Sequence, residues 1–393
     1  MAVAKVVVAG GGLAGLRTIE ELRARGYDGR ITLIGAEQRL PYDRPPLSKQ
    51  LMAGSVDDTT LRPDLDALGA DIRLGETATG LGEQVLCTDR GEHGFEALVL
   101  ATGAVPVTLP GPGRQRVLRT MDDALAIRAL LRPGLRLLII GAGWIGAELA
   151  TAATSRGCQV TVLEAGPAPL AGVLGAQVGA LTAPWYEAAG VRLMLNQPAG
   201  SVQDGGLALA DGGWLDADEV VTAVGVRPAT GWLTGSAVRL DAAGIEVDGQ
   251  LRTSVPGVYA AGDCAAFWSR RYGRRLRFEH WDVALRAPEV VAAGLMGEAA
   301  LYDPVPYFWS EQFGRMLQYA GYHGGADQVV WRGDRPAGPR AVCWLAGGRL
   351  AAALCVDAPK DLLQARRLIQ SGAAVDAGRL ADPAVPVRAA ALD

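Results

Sequence analysis

The sequence of 393 residues predicts an α/β protein with two Rossmann-like units and a C-terminal α+β domain. Two observations predict the paired units: a strand, a GxGxxG turn and a helix occur twice, about 130 residues apart, and each copy precedes a second strand with an acidic residue near its end. The C-terminal part combines a strand-like run, AVCWLAGGRLAAALC, with a helical pattern, DAPKDLLQARRLIQSG.

Composition excludes several classes of protein. Hydrophobic residues make up 49% of the chain, and its length suits two or three domains. The net charge of −4 gives no general reason to bind nucleic acid or an anionic membrane. Five scattered cysteines without a CxxC pair argue against a disulfide framework or a metal site. No window reaches the roughly 18 apolar residues of a membrane span, so we predict a cytoplasmic protein.

The first glycine turn lies in KVVVAGGGLAGLRTIEELRARG. A β-branched run at 6–8 predicts a strand, and apolar residues at helical spacing follow until Gly26. In such a turn the first glycine allows the sharp bend, the second lets a pyrophosphate approach the backbone, and the third lets helix and strand pack closely. The residues predicted to contact a nucleotide are Gly10, Gly12, Leu13, Ala14 and Gly15.

The second glycine turn, in LRLLIIGAGWIGAELATAATSRG, repeats this plan with a strand at 135–140 and a helix that stops at Gly157. One GxGxxG is weak support in a chain with 52 glycines, but two copies in matching contexts predict two nucleotide sites. The second site is predicted to use Gly141, Gly143, Trp144, Ile145 and Gly146.

An acidic residue follows each unit's second strand. Glu164 lies where a carboxylate accepts hydrogen bonds from ribose hydroxyls, and no arginine follows it, which favours NADH over NADPH. Glu37 comes slightly later than expected, after Gly35 and Ala36, so it is either the corresponding ribose ligand or a solvated loop carboxylate.

Three further segments fit a chain that binds one flavin and one nicotinamide nucleotide. The segment ALVLATGAVP places Ala101, Thr102 and Gly103 at the end of a buried strand, where they are predicted to bind FAD. A similar strand precedes Gly225, which is predicted to bind NADH. The run VPGVYAAGDCAAF delivers Asp263 to the end of a strand, where ligands of open α/β sheets bind. Asp263 is therefore a candidate for binding a ribityl hydroxyl, with a helix N-cap as the alternative.

The motifs GGGLAG, LPYDRPPLSK, ATG, GAGWIGAELA, VYAAGDCAAF, EHW and PYFWSEQFG resemble, over almost the whole chain, the NADH-dependent ferredoxin reductases of Rieske dioxygenase and cytochrome P450 systems. That family includes putidaredoxin reductase and rubredoxin reductases. The resemblance implies an FAD-binding domain at 1–112 and 229–304, an NADH-binding domain at 113–228 and a C-terminal interface domain at 305–393. A monomer or weak dimer is expected.

The resemblance also assigns roles within YDRPPLSK. It implies that Arg44 belongs to the FAD site and that Lys49 lies near flavin N5, paired with Glu148 close to the nicotinamide. Trp281 is placed against the pyrimidine side of the flavin, with an ordinary core tryptophan as the alternative. His280 is assigned no catalytic role, because hydride transfer to flavin requires no protein proton donor.

The region 37–52 contains no cysteine, so electrons are expected to pass directly from flavin to an acceptor. The leading acceptor is an acidic ferredoxin or a rubredoxin, and the arginines of SRRYGRRLRF could either steer it or form a solvated hairpin. An NADH oxidase, a quinone reductase and a signalling flavoprotein resembling apoptosis-inducing factor are the alternatives.

Overall fold

The computed structural model describes residues 3–61, 64–333 and 340–392. Its contacts divide the chain into two compact units. The first unit comprises Met1–Asp43, Thr59–Val105 and Val226–Pro304, and the second comprises Arg44–Asp58, Pro106–Gly225 and Val305–Asp393. The three-domain partition expected from the sequence stays a prediction.

The strands of the described residues are numbered in chain order. They are β1 Lys5–Ala9, β2 Arg30–Gly35, β3 Asp71–Leu74, β4 Ala78–Leu81, β5 Val85–Thr88, β6 Gly91–Gly94, β7 Ala97–Leu100, β8 Ala104–Pro106, β9 Arg136–Ile140, β10 Gln159–Leu163, β11 Arg192–Met194, β12 Ala199–Gln203, β13 Gly206–Leu209, β14 Trp214–Asp216, β15 Glu219–Thr222, β16 Val226–Pro228, β17 Leu240–Asp241, β18 Gly244–Val247, β19 Val258–Ala260, β20 Ala265–Ser269, β21 Arg274–Leu276, β22 Tyr307–Gln312, β23 Arg315–Gly321, β24 Gln328–Arg332, β25 Ala341–Ala346 and β26 Arg349–Val356.

The α-helices are numbered in the same way. They are α1 Leu13–Ala24, α2 Gln50–Ala53, α3 Leu65–Leu68, α4 Met121–Leu130, α5 Trp144–Ser155, α6 Ala171–Leu174, α7 Ala176–Gly179, α8 Ala183–Ala188, α9 Trp281–Leu295, α10 Pro359–Ser371 and α11 Ala377–Ala381. Among the described residues, no helix has both the length and the apolar character needed to cross a membrane.

The first unit is built on a parallel sheet in the order β19-β7-β1-β2-β3. Strand β1 lies at its centre because Val6, Val7 and Val8 are fully buried between neighbours on both sides. Helix α1 follows β1 directly and packs against α9. The smaller sheets β4-β5-β6 and β17-β18-β20-β21 also belong to this unit.

The second unit contains another parallel sheet, in the order β11-β10-β9-β15, with α5 directly after β9. Its C-terminal segment forms an antiparallel sheet in the order β22-β23-β26-β25-β24. Apolar residues of α10, including Leu362 and Ile369, pack against one part of this sheet. Another part packs against Leu170 and Leu174 near α6. The predicted strand, turn and helix order is thus present in both units.

Candidate functional site

The glycines of the first turn differ in the space that is available for a Cβ atom. A Cβ atom on Gly10 would lie 2.0 Å from the Ala101 carbonyl oxygen, and one on Gly15 would lie 2.0 Å from the Gly10 oxygen. A Cβ on Gly12 would meet no atom within 4 Å. Gly12 is the N-cap of α1, whose first backbone N–H groups lack helical partners. This open space fits a pyrophosphate, which would approach the backbone closely here.

The second glycine turn has the same construction. A Cβ on Gly141 would lie 2.4 Å from the Ala223 oxygen, and one on Gly146 would lie 2.0 Å from the Gly141 oxygen, whereas Gly143 faces open space. Gly143 is the N-cap of α5, which begins with the predicted residues Trp144 and Ile145. The second turn therefore also fits a dinucleotide.

Glu164 lies directly after β10 and is fixed by backbone donors of its own unit. Its Oε2 accepts from the Ala142 N–H at 2.8 Å and its Oε1 accepts from the Gly166 N–H at 2.8 Å. The carboxylate is thereby held beside the second glycine turn. Burial, with a smaller contribution from the negative charge of Glu164, raises the pKa of Tyr186.

Glu37 follows β2 in the first unit and is partly buried. The Tyr42 hydroxyl donates to its Oε2 at 2.5 Å. This bond argues against the alternative of a merely solvated loop carboxylate. The bond also orients the carboxylate group that the sequence assigns to a ribose.

The strand ends of the first unit contain the other residues assigned to the flavin. Ala101 and Gly103 flank Thr102, whose hydroxyl donates to the Ala229 oxygen at 2.9 Å. Asp263 precedes β20, so its alternative role as a helix N-cap is wrong because a strand follows it. In the second unit, Gly225 adopts φ +103 just before β16.

Asp43 and Trp281 join two segments of the first unit that the resemblance assigns to flavin. The Trp281 indole N–H donates to Asp43 Oδ1 at 2.8 Å, and the Asp43 carbonyl oxygen accepts from Thr59 Oγ1 at 2.8 Å. Trp281 is the first residue of α9, so this bond ties the helix start to the YDRPPLSK segment. Burial lowers the pKa of the preceding His280 to about 4, so its ring is neutral at neutral pH.

The rest of YDRPPLSK lies in the second unit, where Pro45–Ser48 forms a 3₁₀ turn. Arg44 donates to the Arg119 carbonyl oxygen at 2.5 Å. The predicted pair of Lys49 and Glu148 is present, with 2.9 Å between Nζ and Oε2. Lys49 also donates to the Pro45 oxygen at 3.3 Å, and the Ser48 hydroxyl donates to the same Glu148 Oε2.

Sequence reasoning missed two residues of the C-terminal strand β22, of which Ser310 contacts Glu148 and Gln312 contacts Ser310. Ser310 Oγ donates to Glu148 Oε1 at 2.6 Å, and Gln312 Nε2 donates to Ser310 Oγ at 3.0 Å. Both side chains are fully buried. Their signal was weak: two polar residues alternate along a strand in FWSEQFG, a pattern equally typical of a solvated face.

The arginines at 269–278 were expected to steer an acidic partner or to form a solvated hairpin. Arg275 instead donates to the Val247 and Ala266 carbonyl oxygens at 3.1 and 3.0 Å. Arg277 donates to the Asp263 oxygen at 3.2 Å and pairs with Glu279. These two guanidinium groups therefore bind the backbone of neighbouring segments. The carboxylates that pair with them, Asp241 and Glu246 at Arg275 and Glu279 at Arg277, partly offset the positive charge that would attract an acidic partner.

Neither a disulfide nor a cluster of candidate metal ligands is present among the described residues. All five cysteines are free, and four of them are buried. Burial is the main reason that the pKa of the Cys264 thiol is raised. No group of three or more His, Cys, Asp or Glu residues among those described is placed to hold a metal ion.

Comparisons with known proteins cover nearly the whole chain. The family model described as pyridine nucleotide-disulphide oxidoreductase matches residues 4–287, and a reductase C-terminal model matches residues 307–391. The ferredoxin–NAD(+) reductase component of an anthranilate 1,2-dioxygenase system from Burkholderia cepacia is 36% identical, covering 97% of this chain and 98% of that protein.

Two solved structures are similar along their full length. The crystal structure of Fdr9 has 47% identity and a TM-score of 0.94, covering 98% of this chain and 99% of that one. The covalent putidaredoxin reductase–putidaredoxin complex has 32% identity and a TM-score of 0.93, covering 99% of this chain and 98% of that one.

Proposed function

The chain belongs to the pyridine nucleotide-disulphide oxidoreductase family, and on that premise we propose that it is a ferredoxin reductase, which takes hydride from NADH onto bound FAD and passes single electrons to a ferredoxin or a rubredoxin. The predicted family and α/β fold class are confirmed, and the chain is an oxidoreductase. The observation that carries the proposal is the pair of glycine turns, each leaving open space at a helix start.

The proposed FAD site uses residues of the first glycine turn, Glu37 for the ribose and Asp263 for the ribityl chain. When bound, the flavin accepts two electrons as hydride and returns them one at a time. The Trp281–Asp43 hydrogen bond orders the indole that we assign to the pyrimidine side. For NADH, Gly143 leaves room for the pyrophosphate and Glu164 accepts from the adenosine ribose.

Lys49 and Glu148 are the proposed catalytic residues. We assign the Lys49 ammonium to the flavin edge that receives hydride, where a nearby positive charge favours the negative charge of reduced flavin. Glu148 pairs with this ammonium and has an exposed fraction of only 3%. Little water can therefore screen the pair.

The acceptor is proposed from the relatives. Several similar proteins are named as reductase components of dioxygenase systems, and one similar structure is a complex of a reductase with putidaredoxin. We propose that the ferredoxin of this chain serves an oxygenase such as a Rieske dioxygenase or a cytochrome P450. The alternatives are that the flavin passes its electrons to oxygen or to a quinone, or that the protein has a signalling role.

We expect the protein to purify yellow with one FAD per chain, because only the first glycine turn has the flavin-side segments around it. NADH should bleach the visible absorbance, and a [2Fe–2S] ferredoxin should restore it much faster than oxygen or a quinone does. Absorbance spectra of the purified protein test both statements. A colourless protein that FAD cannot reconstitute would reject the proposal, and faster turnover with a quinone would favour the oxidase alternative.

We expect a preference for NADH, because a 2′-phosphate would meet the Glu164 carboxylate. Replacing Glu164 by alanine should raise KM for NADH about tenfold or more, the effect of losing a hydrogen bond to a charged group. KM for NADPH should change much less. Steady-state kinetics with both nucleotides measure this, and Glu187→Ala on helix α8 serves as a carboxylate control. Equal or better kcat/KM with NADPH in the unmodified protein would contradict the prediction.

A further inference from the structure

We propose that Ser310 and Gln312 are positioning residues, which hold the Glu148 carboxylate, and through it the Lys49 ammonium, in one orientation. This inference deepens the proposed function, because that function gives Lys49 its role at the flavin. Neither residue is assigned to a nucleotide, and both come from the C-terminal strand β22.

The hydrogen bonds run in one direction along this chain of groups. A carboxylate paired with an ammonium only accepts, so the Ser310 hydroxyl must donate to Glu148 Oε1, at 2.6 Å. The hydroxyl oxygen is then available to accept from Gln312 Nε2, at 3.0 Å. The amide therefore fixes the hydroxyl rotor, and the hydroxyl fixes the carboxylate.

The two oxygens of Glu148 have different partners. Oε2 accepts from Lys49 and from Ser48, whereas among the described residues the hydrogen bond to Oε1 comes from Ser310. A carboxylate held at both oxygens cannot turn about its terminal bond. Without Ser310, one oxygen would lose its donor, and the group could rotate away from Lys49.

The end of β22 is anchored to the same helix face that carries Glu148. The Phe313 backbone N–H donates to Thr151 Oγ1 at 3.0 Å, and Thr151 lies three residues beyond Glu148 on α5. This second bond fixes the position of the strand end along the helix. Burying the polar side chains of Ser310 and Gln312 costs free energy that two apolar side chains would not cost. This cost favours a role for both residues in orienting the Glu148 carboxylate.

The test measures how accessible the Lys49 amine is in the FAD-loaded protein. The sequence contains only three lysines, Lys5, Lys49 and Lys360, and Lys360 is exposed at the start of α10. Acetylation by limiting acetic anhydride, followed by peptide mass spectrometry, gives the Lys49 rate relative to Lys360 in one sample. In Ser310→Ala we expect this ratio to rise about fivefold, the effect of losing one net hydrogen bond.

Ser269→Ala is the matched control, because Ser269 is also buried and donates to a carboxylate, Asp303 Oδ1, at 2.6 Å. The ratio should not change in this control. Ser310→Cys keeps the size of the side chain and a weak donor, so it should give an intermediate ratio and serves if Ser310→Ala does not fold. Thermal unfolding midpoints check that each variant is folded.

A folded Ser310→Ala or Ser310→Cys variant with the Lys49 ratio of the unmodified protein would overturn the inference. The same variants should also change the midpoint potential of the flavin, measured by equilibrium reduction with a reference dye. Faster labelling of Lys49 with an unchanged flavin potential would support the positioning role of Ser310. The same result would reject the separate assignment of Lys49 to the flavin.

Discussion

Lys49→Ala should reduce the rate of flavin reduction by NADH by about 10²-fold to 10³-fold, the range for removing one donor that stabilises developing charge. The ammonium is held 2.9 Å from Glu148 with 9% of its side chain exposed, so water cannot readily replace it. The variant should also lose about 3–5 kcal/mol of unfolding free energy, because Glu148 stays buried without its cation. Stopped-flow absorbance and urea unfolding measure the two effects.

Control variants separate the effect on the rate of flavin reduction from the effect on the unfolding free energy. Lys360→Ala removes an exposed lysine and should change neither quantity. The double variant Lys49→Met with Glu148→Gln leaves no unpaired buried charge, so much of the stability should return while flavin reduction stays slow. If stability and rate recovered together, Lys49 would be a structural residue only. An unchanged rate in Lys49→Ala would remove it from the catalytic assignment.

Alanine at Gly15 should prevent formation of a stable first unit, whereas alanine at Gly12 should leave a folded protein without FAD. The Gly15 Cβ would lie 2.0 Å from the backbone oxygen of Gly10, a contact that requires β1 or α1 to shift. The cost should exceed about 4 kcal/mol, at the upper end for single substitutions. A Cβ added at Gly12 would have no contact within 4 Å, so it would occupy the open space proposed for pyrophosphate.

The second turn supplies an internal comparison. Gly143→Ala should give a folded, yellow protein with a raised KM for NADH, because the added methyl group would occupy the corresponding open space. FAD content per chain, thermal unfolding and NADH kinetics distinguish the three variants. Full FAD content in Gly12→Ala would contradict the assignment of that turn. A stable Gly15→Ala protein would show that the strand and helix can separate without loss of the fold.

The features that sequence analysis predicted well depend on local chain geometry. A strand, a glycine turn and a helix occupy consecutive residues, so their spacing alone predicts both turns and the position of Glu164. The Lys49–Glu148 pair came from a family resemblance, because 99 residues separate its members and no local pattern joins them.

Contacts between distant segments escaped prediction for the same reason. Ser310 meets Glu148 across 162 residues, and Trp281 meets Asp43 across 238. The N-cap alternative for Asp263 failed because the residues after it pair in a sheet with β18, a preference that depends on a partner strand. The engagement of Arg275 and Arg277 with backbone oxygens was likewise invisible in a run of like charges.

The hydrogen bonds from β22 and Phe313 to α5 affect the design of chimeric proteins. In such chimeras the C-terminal segment of a homologue replaces that of this chain in order to change the electron acceptor. A crossover placed at the start of β22 would replace Ser310 and Gln312 together with the donor's sheet. Such a graft is meant to change only the electron acceptor. It would also change the surroundings of Glu148 and Lys49, which we propose act in hydride transfer from NADH. A seam after Gly314, beyond the Phe313 contact with Thr151, keeps the whole Glu148 environment native. The recombination boundary therefore lies inside the segment matched by the reductase C-terminal model, which begins at residue 307.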